Sequence, residues 1–376
     1  LFYSYFDNKK RKLYKIFFPV IMANFMELGS INSVINEYKL KKKLFSESYT
    51  CRILKQFKEE DSLEISRIFR KILFKILKKN GFKNKGFCIA IDITAKPFYG
   101  NKKLFMVKGT KRKAGTNFAM QYLTASIVEE GVRFNLLCFP VSQLTLVDRK
   151  VKQMIYEIEK IVSIKLFYLD RGFASRSYSR IIKSLGYLFI MPITKNPKLK
   201  ELKLSIKAQS DISDDEYTLS ELEYTFYENQ PEEYQENVKL LALYEKKNNN
   251  KDKKVFFFIT NIYGLESENY YLLIESYRYR FGIETNYRVD NIFSFIFSSI
   301  IASRRYLLMQ ISLIVQDLWT FVNFILHSEE KKQPREKLKR NYSIRNIILS
   351  RVASIGFIWR PLITAVQFQR KMERVL

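Results

Sequence analysis

One histidine, His327, is all that 376 residues contain. No zinc site of ordinary ligand type can be assembled from it, and no Ser-His or Cys-His machinery can be centred elsewhere in the chain. Any metal chemistry must use oxygen ligands. The three cysteines, Cys51, Cys88 and Cys138, are widely spaced with no CxxC pair, and two of them sit in apolar runs that read as strands. This pattern excludes a disulfide-stapled miniprotein and suits buried thiols in a reducing compartment. Long apolar runs are missing too. The most apolar late stretch, Ile292 to Ala302, is too short to span a bilayer and runs into Arg304 and Arg305. At the N-terminus Lys9, Lys10, Arg11, Lys12 and Lys15 interrupt the apolar residues, which is not a secretory pattern. The expected location is the cytoplasm.

Acidic residues are also scarce: 38 Asp and Glu face 65 Lys and Arg, a net charge of +27. A polyanionic partner would offset that charge, nucleic acid first and an anionic membrane surface second. Neither terminus reads as a long basic amphipathic helix with a clean apolar face, which disfavours the membrane. A Lys-rich composition without a partner is the bland alternative. What is abundant is aromatic: 24 Tyr and 31 Phe, within a hydrophobic fraction of 47%, give a folded chain long enough for a sizeable core.

Residues 1–84 have few breakers, and Ile65, Ile68, Phe69, Ile72, Leu73 and Ile76 recur at helical spacing. With 20 basic against 8 acidic residues over 1–87, this part reads as an N-terminal helical region suited to DNA. The texture changes at Gly86. Phe87 to Asp92 is a short apolar run ending in a carboxylate, 117–128 and 132–141 read as strands, and 147–162 as a helix. Lys165 to Asp170 is a second apolar run ending in a carboxylate, followed by a helix at 174–185 and a strand at 187–193. Three adjacent strands and then alternating helix and strand predict an α/β fold with a sheet of mixed direction over 85–194. From 195 to 254 the charge inverts, with 12 acidic and 5 basic residues over 201–250, and short strand-like pieces suggest a β-rich insertion. The strand 255–262 resumes the main pattern, so 255–325 reads as the second part of the core. Residues 326–376 read as a basic helical region, with 12 basic against 4 acidic over 321–376.

Two carboxylates at strand ends are the first chemical signal, because ligands of an open α/β sheet sit outside the carboxyl ends of its strands. If the strands of Asp92 and Asp170 are neighbours, the pair comes within reach of a shared Mg²⁺ or Mn²⁺. Each Asp could equally cap its own loop. The second signal is Tyr277, Arg280, Glu284, Arg288 and Asn291, spaced to share one helix face; a solvated face with an ordinary Arg280–Glu284 pair is the competing reading. The third is the run Lys108-Gly109-Thr110-Lys111-Arg112-Lys113, a phosphate clamp or a solvated loop.

Tyr277-x-x-Arg280-x-x-x-Glu284 resembles the signature around the third carboxylate of DDE insertion-sequence transposases. Asp170-Arg171-Gly172-Phe173 is similar to their second motif, and Asp92-x-Thr94 followed by Pro97-Phe98-Tyr99-Gly100 to their first. The resemblance covers about residues 85–300. It implies an RNase H-like mixed sheet flanked by helices, with a β-rich insertion before the third acid. It also implies two Mg²⁺ ions, replaceable by Mn²⁺, on Asp92, Asp170 and Glu284. Water would cut the ends of a mobile element, and the freed 3′-hydroxyl would attack target DNA. The partners implied are element ends and target DNA, bound by a homodimer in a prokaryotic cytoplasm. Tyr277, Arg280 and Arg288 would contact DNA beside the metals, or else pack and orient Glu284. Many members carry Lys or Arg seven positions after the glutamate, where this chain has Asn291; Arg288, one turn beyond Glu284, could supply that cation. A metal-dependent nuclease, or a decayed transposase that only binds DNA, are the other classes the same residues would suit.

Overall fold

In a computed structural model the described residues are 47–79, 86–113, 115–129, 132–193, 197–210, 217–245, 254–280 and 299–330. The chain divides into two compact units. One holds Leu1–Glu59, Asn291–Ile296 and Ser303–Leu376, and the other Glu60–Asp290 with Phe297–Ala302. In the first unit the described elements are α1 (Glu47–Leu54) and the long helix α7 (Ala302–Glu330). Tyr306, Leu307, Met309, Leu313 and Val315 of α7 are buried together with Arg305, Gln310 and Asp317. The amide of Gln310 donates to the Tyr306 hydroxyl one turn back, at 2.8 Å.

The second unit is built on one sheet. Its strands are β1 (Phe87–Pro97), β2 (Val107–Lys113), β3 (Thr116–Glu129), β4 (Val132–Val141), β5 (Ile164–Leu169), β6 (Phe189–Pro192), β7 (Tyr217–Phe226), β8 (Glu236–Glu245) and β9 (Lys254–Thr260). The order is β2-β3-β1-β5-β6-β9-β8-β7, with β4 also paired to β3. β1 runs antiparallel to β3 and parallel to β5, and β6 runs parallel to β5. The β3–β4 and β8–β9 pairs are antiparallel, as is β6–β9. The helices are α2 (Glu59–Lys79), α3 (Val147–Glu159), α4 (Arg176–Ser184), α5 (Pro197–Ser210) and α6 (Ser267–Tyr277). The architecture is a large mixed sheet flanked by helices.

Side-chain alternation decides which face each helix covers. Cys88 and Ala90 of β1, Leu166 and Tyr168 of β5, Ile190 of β6 and Phe258 of β9 share one buried cluster with Tyr270, Ile274 and Tyr277 of α6. The residues between them point the other way. There Phe167 packs edge-on against Tyr187, whose hydroxyl donates to Glu159 at the end of α3. Helix α2 reaches the sheet through Phe74, edge-on to Phe134 of β4, and through buried Arg70, whose Nε donates to the Asn135 carbonyl at 2.7 Å. That carbonyl lies where the β3–β4 register shifts, between Ala125↔Leu137 and Ser126↔Asn135. The guanidinium thus joins α2 to the sheet at the point where the ladder slips.

Four expectations change. β1 does not end at Asp92 but continues to Pro97, because Thr94, Ala95, Lys96 and Pro97 keep their partners on β3. The basic run Lys108 to Lys113 belongs to strand β2, paired with β3, and is not a loop. Residues 195–254 supply α5 and two long strands that extend the central sheet through β9, so their strands are continuous with it. Helix α6 ends at Tyr277 and gives way to a 3₁₀ turn at Arg278–Arg280, so Tyr277 and Arg280 do not share one unbroken α-helical face. Residues 1–46 of the N-terminal helical region and 331–376 of the basic C-terminal one lie outside the described residues.

Candidate active site

β1 and β5 are adjacent and parallel, and Ile91 stands beside Leu169 in the register. The next residue on each chain is Asp92 and Asp170, so the two carboxylates rise from neighbouring strands roughly 4.8 Å apart in the pairing direction. Asp92 continues the alternation of Cys88 and Ala90, and Asp170 that of Leu166 and Tyr168. Both therefore emerge on the face that α6 covers, one position beyond its buried cluster. The apolar run under each acid makes the strand, and the acid comes where the cover ends. Asp92 is half-buried, and its Oδ1 accepts the Ile93 amide at 2.8 Å while the Thr124 hydroxyl donates to its carbonyl at 3.2 Å. The Asp170 side chain is 42% exposed.

Tyr277 and Arg280 close over this pair from above. The Tyr277 hydroxyl donates to the Leu169 carbonyl at 2.8 Å, immediately before Asp170. Its ring packs edge-on against Tyr168 and Phe258. Burial pushes the phenol well above its usual range and the charges of Asp170 and Asp92 act in the same direction, while Arg280 opposes them. Arg280 lies three residues on. Side chains at that separation eclipse in a 3₁₀ turn, and its guanidinium carbon stands 5.8 Å from the Tyr277 ring centroid. Its Nη2 is 3.3 Å from Asp170 Oδ1, and its Nε is buried with no hydrogen-bond partner among the described residues. Arg278, between them, turns outward to Glu245 at 2.5 Å and Glu275 at 3.0 Å. Both predicted DNA-contacting side chains thus point inward, with Tyr277 3% and Arg280 4% exposed. They hold the strand end that carries Asp170.

The other predicted residues fall elsewhere. Glu284, Arg288 and Asn291 lie outside the described residues. Lys108 of β2 is half-buried, and Lys111 and Arg112 are exposed; Lys113 ends the same strand. Lys108 pairs with Ala119, five positions along β3 from Thr124, the partner of Asp92. The basic strand therefore starts about 17 Å beyond the carboxylates along the strand direction, two strands to the side. Among the described residues no three carboxylate, thiol or imidazole side chains come together. The Arg280–Asp170 pair was not foreseen, because the spacing of Arg280 pointed only to Glu284.

Among solved structures, a piggyBac transposase synaptic complex with hairpin DNA resembles the chain with a TM-score of 0.53. The likeness spans 99% of this chain and 77% of the other at 11% sequence identity, and is one of fold. No protein family model matches the chain, and no curated protein does.

Proposed function

We propose that the chain is a DDE-type DNA transposase that cuts the ends of a mobile element and joins the freed 3′-hydroxyl to target DNA. The observation that carries this reading is the placement of Asp92 and Asp170 side by side on parallel β1 and β5, beside the end of α6. The RNase H-like reading is supported by the order β4-β3-β1-β5-β6, with its first two pairings antiparallel and its last two parallel. The fold likeness to a transposase bound to DNA points the same way.

The donor set fits hard divalent cations: two carboxylates, both partly open to solvent, with no thiolate or imidazole grouped with them among the described residues. Asp92 and Asp170 would hold Mg²⁺ or Mn²⁺ together with Glu284. When bound, two such ions supply a reactive water or hydroxyl at neutral pH and offset charge on the attacking and leaving oxygens. Tyr277 and Arg280 fix the backbone and carboxylate of Asp170, and the basic β2 strand positions phosphates without reading sequence.

Replacing Asp92 or Asp170 by Asn, or Glu284 by Gln, should abolish nicking of element-end DNA and leave DNA binding intact. Wild-type nicking by any one variant removes that residue from the site. Strand transfer in the same assay separates this reading from a nuclease that cuts and never joins, and binding without nicking in the wild type would leave a DNA-binding protein. Arg288 is assigned the cation that Asn291 lacks. Arg288→Ala should depress cleavage, Asn291→Ala should do little, and Asn291→Lys should partly rescue Arg288→Ala; unchanged turnover in Arg288→Ala overturns the assignment.

A further inference from the structure

Between Asp92 and Glu129 the sequence has seven lysines and arginines and no acidic residue. The fold gathers six of these cations, Lys102, Lys103, Lys108, Lys111, Arg112 and Lys113, on the loop 98–106 and strand β2. The loop is tied down. Phe98 donates its amide to Phe118 at 2.9 Å, and the Thr116 hydroxyl donates to the Phe98 carbonyl at 2.9 Å. Inside it the Leu104 and Val107 amides close successive turns on the Asn101 and Leu104 carbonyls. From the next loop, the Gln143 amide donates to the Phe105 carbonyl at 3.3 Å and its side chain to the Val107 carbonyl at 2.7 Å. Gly100 is packed so closely that a Cβ there would meet the Phe98 ring at 2.7 Å.

This ordered loop buries Phe98 and turns Tyr99 and Phe105 outward, 68% and 54% exposed. A single exposed aromatic is ordinary. Two on a braced loop, interleaved with cations and with no carboxylate in the segment, make the pattern by which proteins hold unpaired nucleic acid: bases stack on rings while a basic track follows the phosphates. Phosphates alone would be served by the cations without the rings. A second copy of the chain is disfavoured, because it would bring another net charge of +27 towards this basic surface.

We propose that the loop 98–106 and strand β2 form a binding site for an unpaired DNA strand, with Tyr99 and Phe105 stacking bases and Lys102, Lys103, Lys111 and Arg112 holding phosphates. Measured along the strands, the track starts about 17 Å beyond the carboxylates at Lys108 and ends about 26 Å beyond them at the β2–β3 turn, two strands to the side. The proposal rests on the chain being a DNA-processing enzyme, and it gives the surface beside the carboxylates its own substrate form.

The test is fluorescence anisotropy in EDTA, where no cleavage can occur, with an oligothymidylate of about 20 nucleotides and a duplex of the same length. The protein is the full chain, as wild type, Tyr99→Ala/Phe105→Ala and Lys111→Glu/Arg112→Glu. The aromatic double variant should lose about tenfold or more in oligothymidylate affinity, less than about twofold in duplex affinity, and keep its salt slope. The charge reversal should weaken both ligands and lower the single-strand salt slope by about 1.4. Unchanged oligothymidylate binding by the aromatic variant overturns the proposal, as does an equal loss on duplex. So does a charge reversal that changes only self-association by sedimentation. A wild type that binds neither DNA would instead defeat the proposed function itself.

Discussion

At the scale of single residues, the best-determined feature of the site is how Asp170 is held. Tyr277 has its ring in the core and its hydroxyl on the Leu169 carbonyl, so Tyr277→Phe keeps the packing and removes one buried hydrogen bond. The expected cost is about 1 kcal/mol of stability, measured by urea unfolding. The pH dependence is a second readout. Burial, with nearby carboxylates, raises the pKa of Tyr277, and burial also raises Tyr168; Tyr187 is pushed up to about 12, first by burial and then by Glu159. A phenol whose folded pKa is raised favours the protonated native state. Its contribution is whole below the ordinary value of 10 and is lost as pH rises through the folded value, which for Tyr187 means between 10 and about 12. Stability should therefore fall above pH 10, and Tyr277→Phe should fall less steeply than wild type. Parallel curves would mean that Tyr277 does not titrate with unfolding.

At the scale of elements, Arg70 is the joint between α2 and the sheet. It is fully buried, with its guanidinium on the Asn135 carbonyl and on Ser66 one turn back. Arg70→Ala would leave that carbonyl buried without this donor and open a cavity beneath α2. A loss of about 2–4 kcal/mol is expected in chemical denaturation, and a loss below about 1 kcal/mol would show that α2 is held by its apolar stripe alone. The stripe was legible in the sequence: Ile65, Phe69 and Leu73 are buried as the helical spacing predicts. Arg70 was not, since beside Lys71 and three positions after Arg67 it looks like one more solvated cation until its partner arrives from 65 residues away. The strands β1, β3, β4 and β5 were legible for the same reason as the stripe, because continuous apolar runs mark strands buried on both faces. β2 was missed because Lys108 to Lys113 has almost no apolar pattern and takes its conformation from pairing to β3. The extension of β1 past Asp92 was hidden because Thr94 and Lys96 break the apolar run while their backbones stay in the ladder. The two aspartates could be ranked as candidates from sequence, but their adjacency is a property of the β1–β5 register, which no local signal contains.

At the scale of the molecule, charge is unevenly distributed along the sheet. The basic strand β2 stands at one end of the strand order and the acidic segment carrying β7 and β8 at the other. Part of the acidic end is neutralised within itself, as where Lys239 meets Glu221 at 2.8 Å. Such a polarity would bias the sheet in the field of a polyanion, with β2 leading and β7 trailing. Binding to duplex DNA should then weaken steeply with salt, log K falling by about 0.9 for each phosphate neutralised. A footprint of roughly six to ten phosphates would lose about 10³ to 10⁵ in affinity between 50 and 200 mM salt. Because β2 is the leading end, Lys111→Glu/Arg112→Glu should flatten that slope, whereas Glu232→Gln/Glu233→Gln at the β7–β8 turn should leave it unchanged. Filter binding across a salt series for the three proteins decides this. A slope near zero in the wild type would mean that the positive charge is not a DNA footprint, and an equal change in both variants would mean that the charge acts as a diffuse total and not through the β2 end of the sheet.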